Sequence, residues 1–281
     1  MNPWTVIIRP HRRLLDIDLR ELWEYRDLYW MYVKRDVTVA YKQTVLGPLW
    51  YLLQPMLTTV MLMFIFGGIA GISTEGLPQP LFYLSGLLIW NYFSTVLTDT
   101  SQSLIKNAHL LGKVYFPRVV IPLSIATSNL LKVGIQTLLL MGLILYYMVA
   151  LGLNPVILSW RLTLVPIIIL ATGLLAMGWG MIIAALTAKY RDLALLVSFG
   201  VQLLMLASPV AYPIGAMPER WQSYAMLNPL ASMIEGLRYS LYGLGSADIG
   251  WIFYSAIFVL MALAMGLIAF AKAERNFIDH A

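Results

Sequence analysis

The sequence predicts an all-α protein that crosses a membrane six times, with an amphipathic helix on the membrane surface before the first span. Composition is the first reason, because 60% of the residues are hydrophobic and only 12% are charged, which one soluble core cannot hide. Run length is the second, since a helix needs about 20 apolar residues to cross about 30 Å of hydrocarbon. The runs do not alternate as barrel strands do, so helices are expected.

Six apolar runs are long enough to be membrane helices. They cover residues 49–70, 81–97, 119–151, 162–188, 193–207 with an extension to 212, and 251–271. An even number of spans puts both termini on the same side of the membrane. We therefore divide the chain into an N-terminal segment with an interfacial helix, residues 1–45, and a six-helix membrane domain, residues 46–281.

The basic residues predict which side this is. All but four of the 19 Lys and Arg residues lie before the first run, in the second and fourth loops, or in the tail; the exceptions are Lys132, Arg161, Arg220 and Arg238. Because cytoplasmic loops are enriched in Lys and Arg, both termini are expected in the cytoplasm. The net charge of +5 follows from this asymmetry and gives no reason to expect nucleic-acid binding.

The segment before the first span predicts a helix in the membrane interface. At helical spacing one stripe collects Trp23, Trp30, Val33, Val37 and Tyr41. Trp and Tyr favour the headgroup level, which is typical of such helices. The helix is either a simple anchor or the lip of a pathway, and in the second case Arg35 and Lys42 would hold an anionic headgroup.

The second cytoplasmic loop, residues 101–122, combines a short amphipathic helix with the aromatic pair Tyr115 and Phe116 before Pro117. Gly112 is a suitable C-cap for that helix. Such an exposed element is either a surface turn or a docking element that inserts into a partner's groove.

The third run would be about 50 Å long as one helix, which exceeds the hydrocarbon thickness. A polar stripe runs along it at four-residue spacing: Ser124, Ser128, Lys132 and Gln136. If the crossing part starts after Lys132, this lysine snorkels to the interface. If it starts near residue 119, Lys132 lies near mid-bilayer at a cost of about 3 kcal/mol and should face a water-filled path.

Two further patterns predict packing in the second half of the chain. Ala176, Gly180 and Ala184 form a ridge of small residues that favours close helix contact, within the chain or at a dimer seam. Residues 208–248 are too apolar for a solvated loop and are interrupted by prolines, which predicts short re-entrant helices. On one of them Glu235 and Arg238 are expected to pair, as a structural ion pair or in contact with substrate.

The sequence gives no sign of catalysis in this chain. It contains no Cys and no phosphate-binding loop of the G-x-x-x-x-G-K-[ST] type, and its three His residues lie outside the spans. Asp99 stands alone at the inner end of the second span, where proton coupling or intramembrane catalysis would need more carboxylates. We therefore expect no catalytic or metal site, and any energy for transport should come from a partner.

Five motifs follow one another along the chain in a recognisable order. They are RDVTVAYKQTVLGPLWYLLQP from residue 35, NAHLLGKVYFPRVVIPL from 107, KYRDL from 189, SPVAYP from 208 and NPLASMIEGLRYSLYG from 228. This ordered set resembles the membrane subunit of ABC-2-type polysaccharide exporters, the family of O-antigen, teichoic-acid and capsule permeases. The resemblance covers roughly residues 30–271.

The resemblance implies a homodimeric permease in the bacterial inner membrane, joined to two cytoplasmic ABC ATPase subunits that hold ATP and Mg²⁺. This chain itself would carry no cofactor. The substrate would be a polyprenyl-pyrophosphate-linked glycan, such as the O-antigen part of lipopolysaccharide. Besides the glycan, the chain's partners would be membrane lipid and its own second copy.

Three groups of residues acquire expected roles from the resemblance. ATPase coupling falls to the loop residues and to a second contact in the fourth loop: Asn107, Lys113, Tyr115, Phe116, Pro117, Arg118, Arg191 and Asp192. The lipid headgroup would enter beside Arg35, Lys42, Leu46 and Gly47. The substrate path would include Tyr51, Trp90, Tyr92, Phe93, Ser128, Lys132 and Gln136, although the four aromatics equally suit a membrane belt or helix packing.

Two other functions remain open from the sequence. An ABC-2 permease for a drug or small lipid would share this fold, and it is disfavoured because the surface helix and the VYFPR motif resemble the polysaccharide branch. A non-transporting scaffold would explain the spans, but it would leave the docking loop and the interrupted outer segment without a purpose.

Overall fold

The computed structural model describes residues 19–42, 47–107, 116–157, 159–190, 192–245 and 248–278. Regular structure in these residues is helical, which confirms the all-α class. The helices are α1 (Leu19–Glu24), α2 (Arg26–Lys42), α3 (Trp50–Leu62), α4 (Gln79–Ser101), α5 (Ser103–Lys106), α6 (Val120–Leu151), α7 (Leu164–Lys189), α8 (Leu193–Leu206), α9 (Glu219–Met226), α10 (Pro229–Tyr242) and α11 (Ile249–Ile278). A π-helical segment, Met63–Ile69, continues α3.

Among the described residues, five helices are long and apolar enough to cross a membrane. They are Trp50–Ile69, Gln79–Ser101, Val120–Leu151, Trp160–Lys189 and Gly250–Ala273. The remaining predicted span is shorter than expected, because α8 has 14 residues and is therefore about 21 Å long. The chain leaves this helix at Ala207 and turns through Pro209 and Pro213, which cannot continue it.

Helix α7 lies at the centre of the bundle, and the predicted ridge of small residues faces α4. Ala176 and Ala184 are fully buried, and a Cβ atom on Gly180 would lie 2.6 Å from the Cβ of Thr100. The ridge therefore serves packing within the chain.

The opposite side of α7 meets α11 just as closely. A Cβ atom on Gly178 would lie 2.7 Å from the carbonyl carbon of Ala262, and one on Gly266 would collide with the carbonyl oxygen of Gly178. Because both obstacles are backbone atoms, α7 and α11 can approach this far only where glycine stands.

The segment after α8 folds back into the bundle as predicted. Most residues of α10 are buried, and the helix packs against α4, α7 and α11. Its start is capped by Asn228, whose side chain accepts a hydrogen bond from the Leu230 amide and donates one to Ser208 Oγ at 2.9 Å. At its end Gly243 has a φ of +70°, a left-handed conformation that favours glycine.

Helix α2 uses two faces of its surface. Tyr32 and Val33 are buried towards the bundle, and the Tyr29 hydroxyl donates a 2.7 Å hydrogen bond to Thr127 Oγ1 of α6. Trp30 points outward, as does Trp23 of the preceding helix α1, and each has more than half of its surface exposed. The predicted apolar stripe is thus divided between packing on α6 and an outward face suited to a membrane surface.

Candidate functional site: a charged cavity between α2, α4 and α6

A cavity of about 480 Å³ opens between α2, the start of α3, the end of α4, α5 and α6. Three cations and two carboxylates lie in its wall: Arg35, Lys106, Lys132, Asp36 and Asp99. The remaining lining is partly polar and partly apolar, formed by Val37, Val39, Tyr51, Ser103, Asn107, Ile125, Ser128, Asn129 and Leu131. This mixture suits a ligand that has both a charged group and an apolar part.

Two members of the polar stripe of α6, Ser128 and Lys132, lie in the wall of this cavity. Ser124, Ser128 and Gln136 are buried within the chain, so the stripe faces protein and not lipid. Lys132 is half-buried, and its Nζ lies 5.4 Å from the ring centroid of Tyr51. Among the described residues no carboxylate forms an ion pair with Lys132, which leaves its charge available to a ligand.

The other two cations are paired with carboxylates inside the cavity. Arg35 Nη2 lies 2.8 Å from Asp36 Oδ1, and Lys106 Nζ lies 3.5 Å from Asp99 Oδ1. All four side chains are partly exposed, so each pair contributes at most about 1 kcal/mol. Such pairs exchange readily with a competing anion.

Two buried polar atoms in the wall lack a hydrogen-bond partner within the described residues. They are Ser103 Oγ and Asn129 Oδ1, and both residues line the cavity. Burying a polar group without a partner costs about 1–3 kcal/mol. A ligand that accepts a hydrogen bond from Ser103 would recover part of that cost.

The loop between α4 and α6, residues 102–119, is attached to this cavity at both of its ends. At the start, Asn107 lines the cavity and its amide donates a 2.8 Å hydrogen bond to Ser103 O. At the end, the ring of Phe116 lies 6.1 Å from the ring of Tyr32. The Arg35 guanidinium carbon lies over the same Tyr32 ring, 4.5 Å from its centroid. Burial raises the pKa of the Tyr32 hydroxyl, and Arg35 partly offsets this.

The predicted coupling residues have different environments. Phe116 and Arg118 are buried, Pro117 is half-buried, and Asp192 is exposed directly before α8. The predicted residues Lys113, Tyr115 and Arg191 lie outside the described part of the chain.

The predicted headgroup and path residues are only partly brought together. The cavity unites Arg35, Tyr51, Ser128 and Lys132. Lys42 is exposed at the end of α2, Gly47 follows with a φ of +51°, and Leu46 lies outside the described residues. Trp90, Tyr92 and Phe93 are instead buried within the chain along α4, where the Tyr92 hydroxyl donates a hydrogen bond to Ala126 O at 3.2 Å.

Sequence reasoning missed several members of the cavity. Asp36, Ser103 and Lys106 carried no predicted role, and Asp99 was interpreted as an isolated carboxylate. Lys106 follows Asp99 by seven positions, but the helix breaks at Gln102 and brings the two side chains together. In a continuous helix these two residues would lie about 10 Å apart along the axis, which is too far for an ion pair. Helical spacing alone therefore did not predict the pair.

A separate buried ion pair lies at the other end of α4. Arg238 Nη1 donates to Glu235 Oε1 at 2.9 Å and to Pro209 O at 2.8 Å, and both charged side chains are 3% exposed. The Arg238 guanidinium carbon also lies 3.6 Å from the ring centroid of Phe82 in α4. Burial raises the pKa of Glu235, while Arg238 acts in the opposite direction. The predicted pair is confirmed, and its contacts join α10 to α4 and to the turn after α8.

Among the residues that the structure describes, no group of three or more His, Asp or Glu side chains is placed to hold a metal ion. The cavity instead presents cations and hydrogen-bonding groups, which favour an anionic ligand.

Comparisons with known proteins agree with this architecture. The ABC-2 type transporter family matches residues 27–242. The chain is 31% identical over 253 residues to the O-antigen export system permease protein RfbA of Klebsiella pneumoniae, which covers 90% of this chain and 94% of that protein. It is 30% identical over 227 residues to RfbA of Myxococcus xanthus, covering 80% and 84% of the two chains.

A more distant relative is named for a different polysaccharide. The polysialic acid transport protein KpsM of Escherichia coli is 25% identical over 246 residues, covering 85% of this chain and 91% of that protein. With the family match over most of the chain and five membrane-length helices in the fold, this protein belongs to the ABC-2 type transporter family.

Proposed function

We propose that this chain is the permease subunit of an ATP-driven exporter that moves a lipid-linked, O-antigen-like polysaccharide across the bacterial inner membrane. The observation that carries the proposal is the charged cavity beside α2, because it suits an anionic lipid headgroup. The relatives named for O-antigen export and polysialic acid transport support a polysaccharide as cargo. A drug or small-lipid exporter is the less favoured alternative.

The headgroup is proposed to bind with its diphosphate among the cations of the cavity. Lys132 and Arg35 supply positive charge from two different helices, and the Ser103 hydroxyl, which has no partner within the described residues, supplies a hydrogen-bond donor. Val37, Val39, Ile125 and Leu131 supply the apolar surface that the lipid part of such a molecule needs. Lys42, Leu46 and Gly47 would border the opening through which the headgroup enters.

The glycan path is proposed to start at the same cavity. Tyr51, Ser128 and Lys132 line the cavity, and Gln136 continues the same face of α6 by one helical turn. Trp90, Tyr92 and Phe93 are buried in the single chain, so they would contact a glycan only after α4 has moved.

Transport energy is proposed to come from two separate ATPase subunits that hold ATP and Mg²⁺. The α4–α6 loop would dock on them, with Lys113 and Tyr115 in direct contact and Asn107, Phe116, Pro117 and Arg118 fixing the ends of the loop. Arg191 and Asp192 would form a second contact. Both contacts require cytoplasmic loops and therefore cytoplasmic termini.

A second copy of this chain is proposed to complete the path. Helix α8 supports this, because none of its residues is buried within the single chain. The mass of the purified protein in a membrane mimetic, measured by native mass spectrometry, tests the proposal directly. A complex that contains the ATPase but only one copy of the permease would contradict a homodimer.

The function is tested by deleting the gene and analysing glycan in two compartments by gel electrophoresis and mass spectrometry. We expect the surface glycan to be lost and the lipid-linked glycan to accumulate inside the cell. Complementation with the unaltered gene should restore both. An unchanged glycan profile would contradict polysaccharide export and favour a drug or small-lipid substrate.

A further inference from the structure

The two carboxylates of the cavity already occupy part of the space where an anion would bind. Asp36 pairs with Arg35, its neighbour on α2, so that contact stays within one helix. Asp99 instead pairs with Lys106 across the break between α4 and α5. This second pair therefore fixes the position of the segment that leads directly into the α4–α6 loop.

We propose that Asp99 is a displaceable counter-ion, which holds Lys106 while the cavity is empty and loses it when a diphosphate headgroup binds. Lys106 then turns towards the ligand, and the start of the α4–α6 loop is released from the end of α4. Occupancy of the cavity is in this way reported to the loop proposed to contact the ATPase. The inference rests on the proposed function for the class of ligand, a lipid diphosphate.

The geometry of the pair makes it suitable for displacement. Its 3.5 Å separation is longer than the 2.7–2.9 Å typical of a charge-assisted hydrogen bond. The Lys106 and Asp99 side chains are 57% and 42% exposed, so water and salt screen their attraction. A diphosphate brings more than one negative charge and several acceptor oxygens, and it therefore outcompetes a single carboxylate.

The surroundings of Lys106 favour the ligand-bound arrangement. Ser103 lies one helical turn before Lys106 on α5, and its buried hydroxyl lacks a partner within the described residues. Lys132 on the facing wall has no ion-pair partner there either. A diphosphate between them would be held by two ammonium groups and one hydroxyl, while Asp99 would be left facing solvent.

The far end of the loop is joined to the same cavity. Phe116 packs on Tyr32, and the Arg35 guanidinium lies over that same Tyr32 ring. A ligand that draws Arg35 inward also alters the surface on which Phe116 rests. Both ends of the loop thus respond to one ligand, whereas a loop fixed only by its own helix ends would not.

The proposal makes the two members of the pair act in opposite directions on binding. The test uses the full-length permease in nanodiscs of neutral phosphatidylcholine, with geranylgeranyl diphosphate as the probe. Asp99→Asn should bind the probe about fivefold more tightly, because it removes the competing carboxylate, and Lys106→Gln should bind it about fivefold more weakly. In the Lys106→Gln background, Asp99→Asn should give a smaller gain.

A matched control and one further ligand complete the binding test. Asp27→Asn removes an exposed carboxylate of α2 outside the cavity and should leave affinity unchanged. Competition with inorganic pyrophosphate shows whether the charged group suffices or the isoprenoid tail is needed, and in both cases Asp99→Asn must tighten binding. Weaker or unchanged binding by Asp99→Asn would overturn the proposal, because a purely structural ion pair predicts that result.

Release of the loop is measured with a fluorophore on Ile105→Cys, which is feasible because the chain contains no native cysteine. Adding the probe should change the emission, and Asp99→Asn should show most of that change without ligand. If neither the probe nor the Asp99→Asn substitution changes the emission, the reporting role of the pair is refuted. These measurements use purified protein, so their outcome is independent of the gene-deletion experiment. The counter-ion proposal can fail while gene deletion still abolishes surface glycan and so supports the proposed export function. Conversely, the binding results can agree with the proposal while gene deletion leaves the glycan profile unchanged.

Discussion

The ring of Phe116 lies 6.1 Å from the ring of Tyr32, and this contact joins the end of the α4–α6 loop to the surface helix α2. Both rings are buried, at 4% exposure each. If the loop docks on a partner as proposed, Phe116 would act through the position of the loop and not through its own surface. Substitutions at this position should change stability as well as transport.

Phe116→Ala should lower the free energy of unfolding by about 3 kcal/mol, because it removes a buried ring and leaves a cavity against Tyr32. Phe116→Leu keeps most of the apolar volume and should cost clearly less. Thermal unfolding of the purified variants in one detergent measures the difference. Equal melting temperatures for Phe116→Ala and the unaltered protein would show that the ring is not packed as described.

Charge removal in the cavity should block export before it affects the fold. Lys132→Gln and Arg35→Gln each remove one cation that faces the proposed headgroup, and a loss of about tenfold in affinity is expected for each. Cells with either variant should show less surface glycan and more lipid-linked glycan inside. Quantitative gels of both fractions, at matched protein levels, make the measurement.

Lys34→Gln is the matched control for these two variants. Lys34 is an exposed neighbour of Arg35 on the same helix, but it does not line the cavity. Cells with Lys34→Gln should therefore export glycan normally. If Lys34→Gln reduces export as strongly as Arg35→Gln, the effect belongs to the general charge of α2 and not to the cavity.

The contact between α7 and α11 should tolerate no side chain at Gly178. Gly178→Ala would place a methyl group 2.7 Å from the Ala262 backbone and force the two helices apart, at a cost of about 1–3 kcal/mol. At Gly142 in α6 nothing lies within 4 Å of an added Cβ, so Gly142→Ala should be neutral or slightly stabilising. Melting temperatures of the two variants compare the sites. A Gly178→Ala variant as stable as Gly142→Ala would contradict the close approach.

The sequence was sufficient for the helices but not for every face or length. Run length predicted the membrane helices, and the prolines after residue 207 predicted an interrupted outer segment. The same prolines also shorten α8, which run length alone assigned as a full span. On α1 and α2, hydrophobic spacing could not show that Val33 is buried while Trp23 and Trp30 face outward, since both environments accept apolar residues.

The cavity shows why a site is harder to predict than a fold. Lys132 was recognisable because a charge within an apolar run is costly and therefore informative. Lys106 and Asp99 carried no such signal, because both lie near helix ends, where charged residues are common. Only the turn at Gln102 brings them together. Tertiary contacts of this kind leave no periodic trace in the sequence.

The buried pair of Arg238 and Glu235 predicts an order of stabilities among its variants. Arg238→Met leaves the Glu235 carboxylate buried without its cation, a loss of about 3–5 kcal/mol. Glu235→Gln should cost less, because Arg238 retains its hydrogen bonds to the carbonyl oxygens of Pro209 and Val210. The exposed residue Arg220 supplies the control, since Arg220→Gln should have the same melting temperature as the unaltered protein.

The double variant Glu235→Gln/Arg238→Met separates the charge effect from the packing effect. It removes the buried carboxylate together with its cation, so its melting temperature should be higher than that of Arg238→Met. The hydrogen bonds of Arg238 to the turn after α8 are lost in both variants. Thermal unfolding of all three variants in one membrane mimetic gives the comparison. A double variant less stable than Arg238→Met would mean that Glu235 holds α10 through contacts other than this pair, because removing an uncompensated buried charge can otherwise only raise stability.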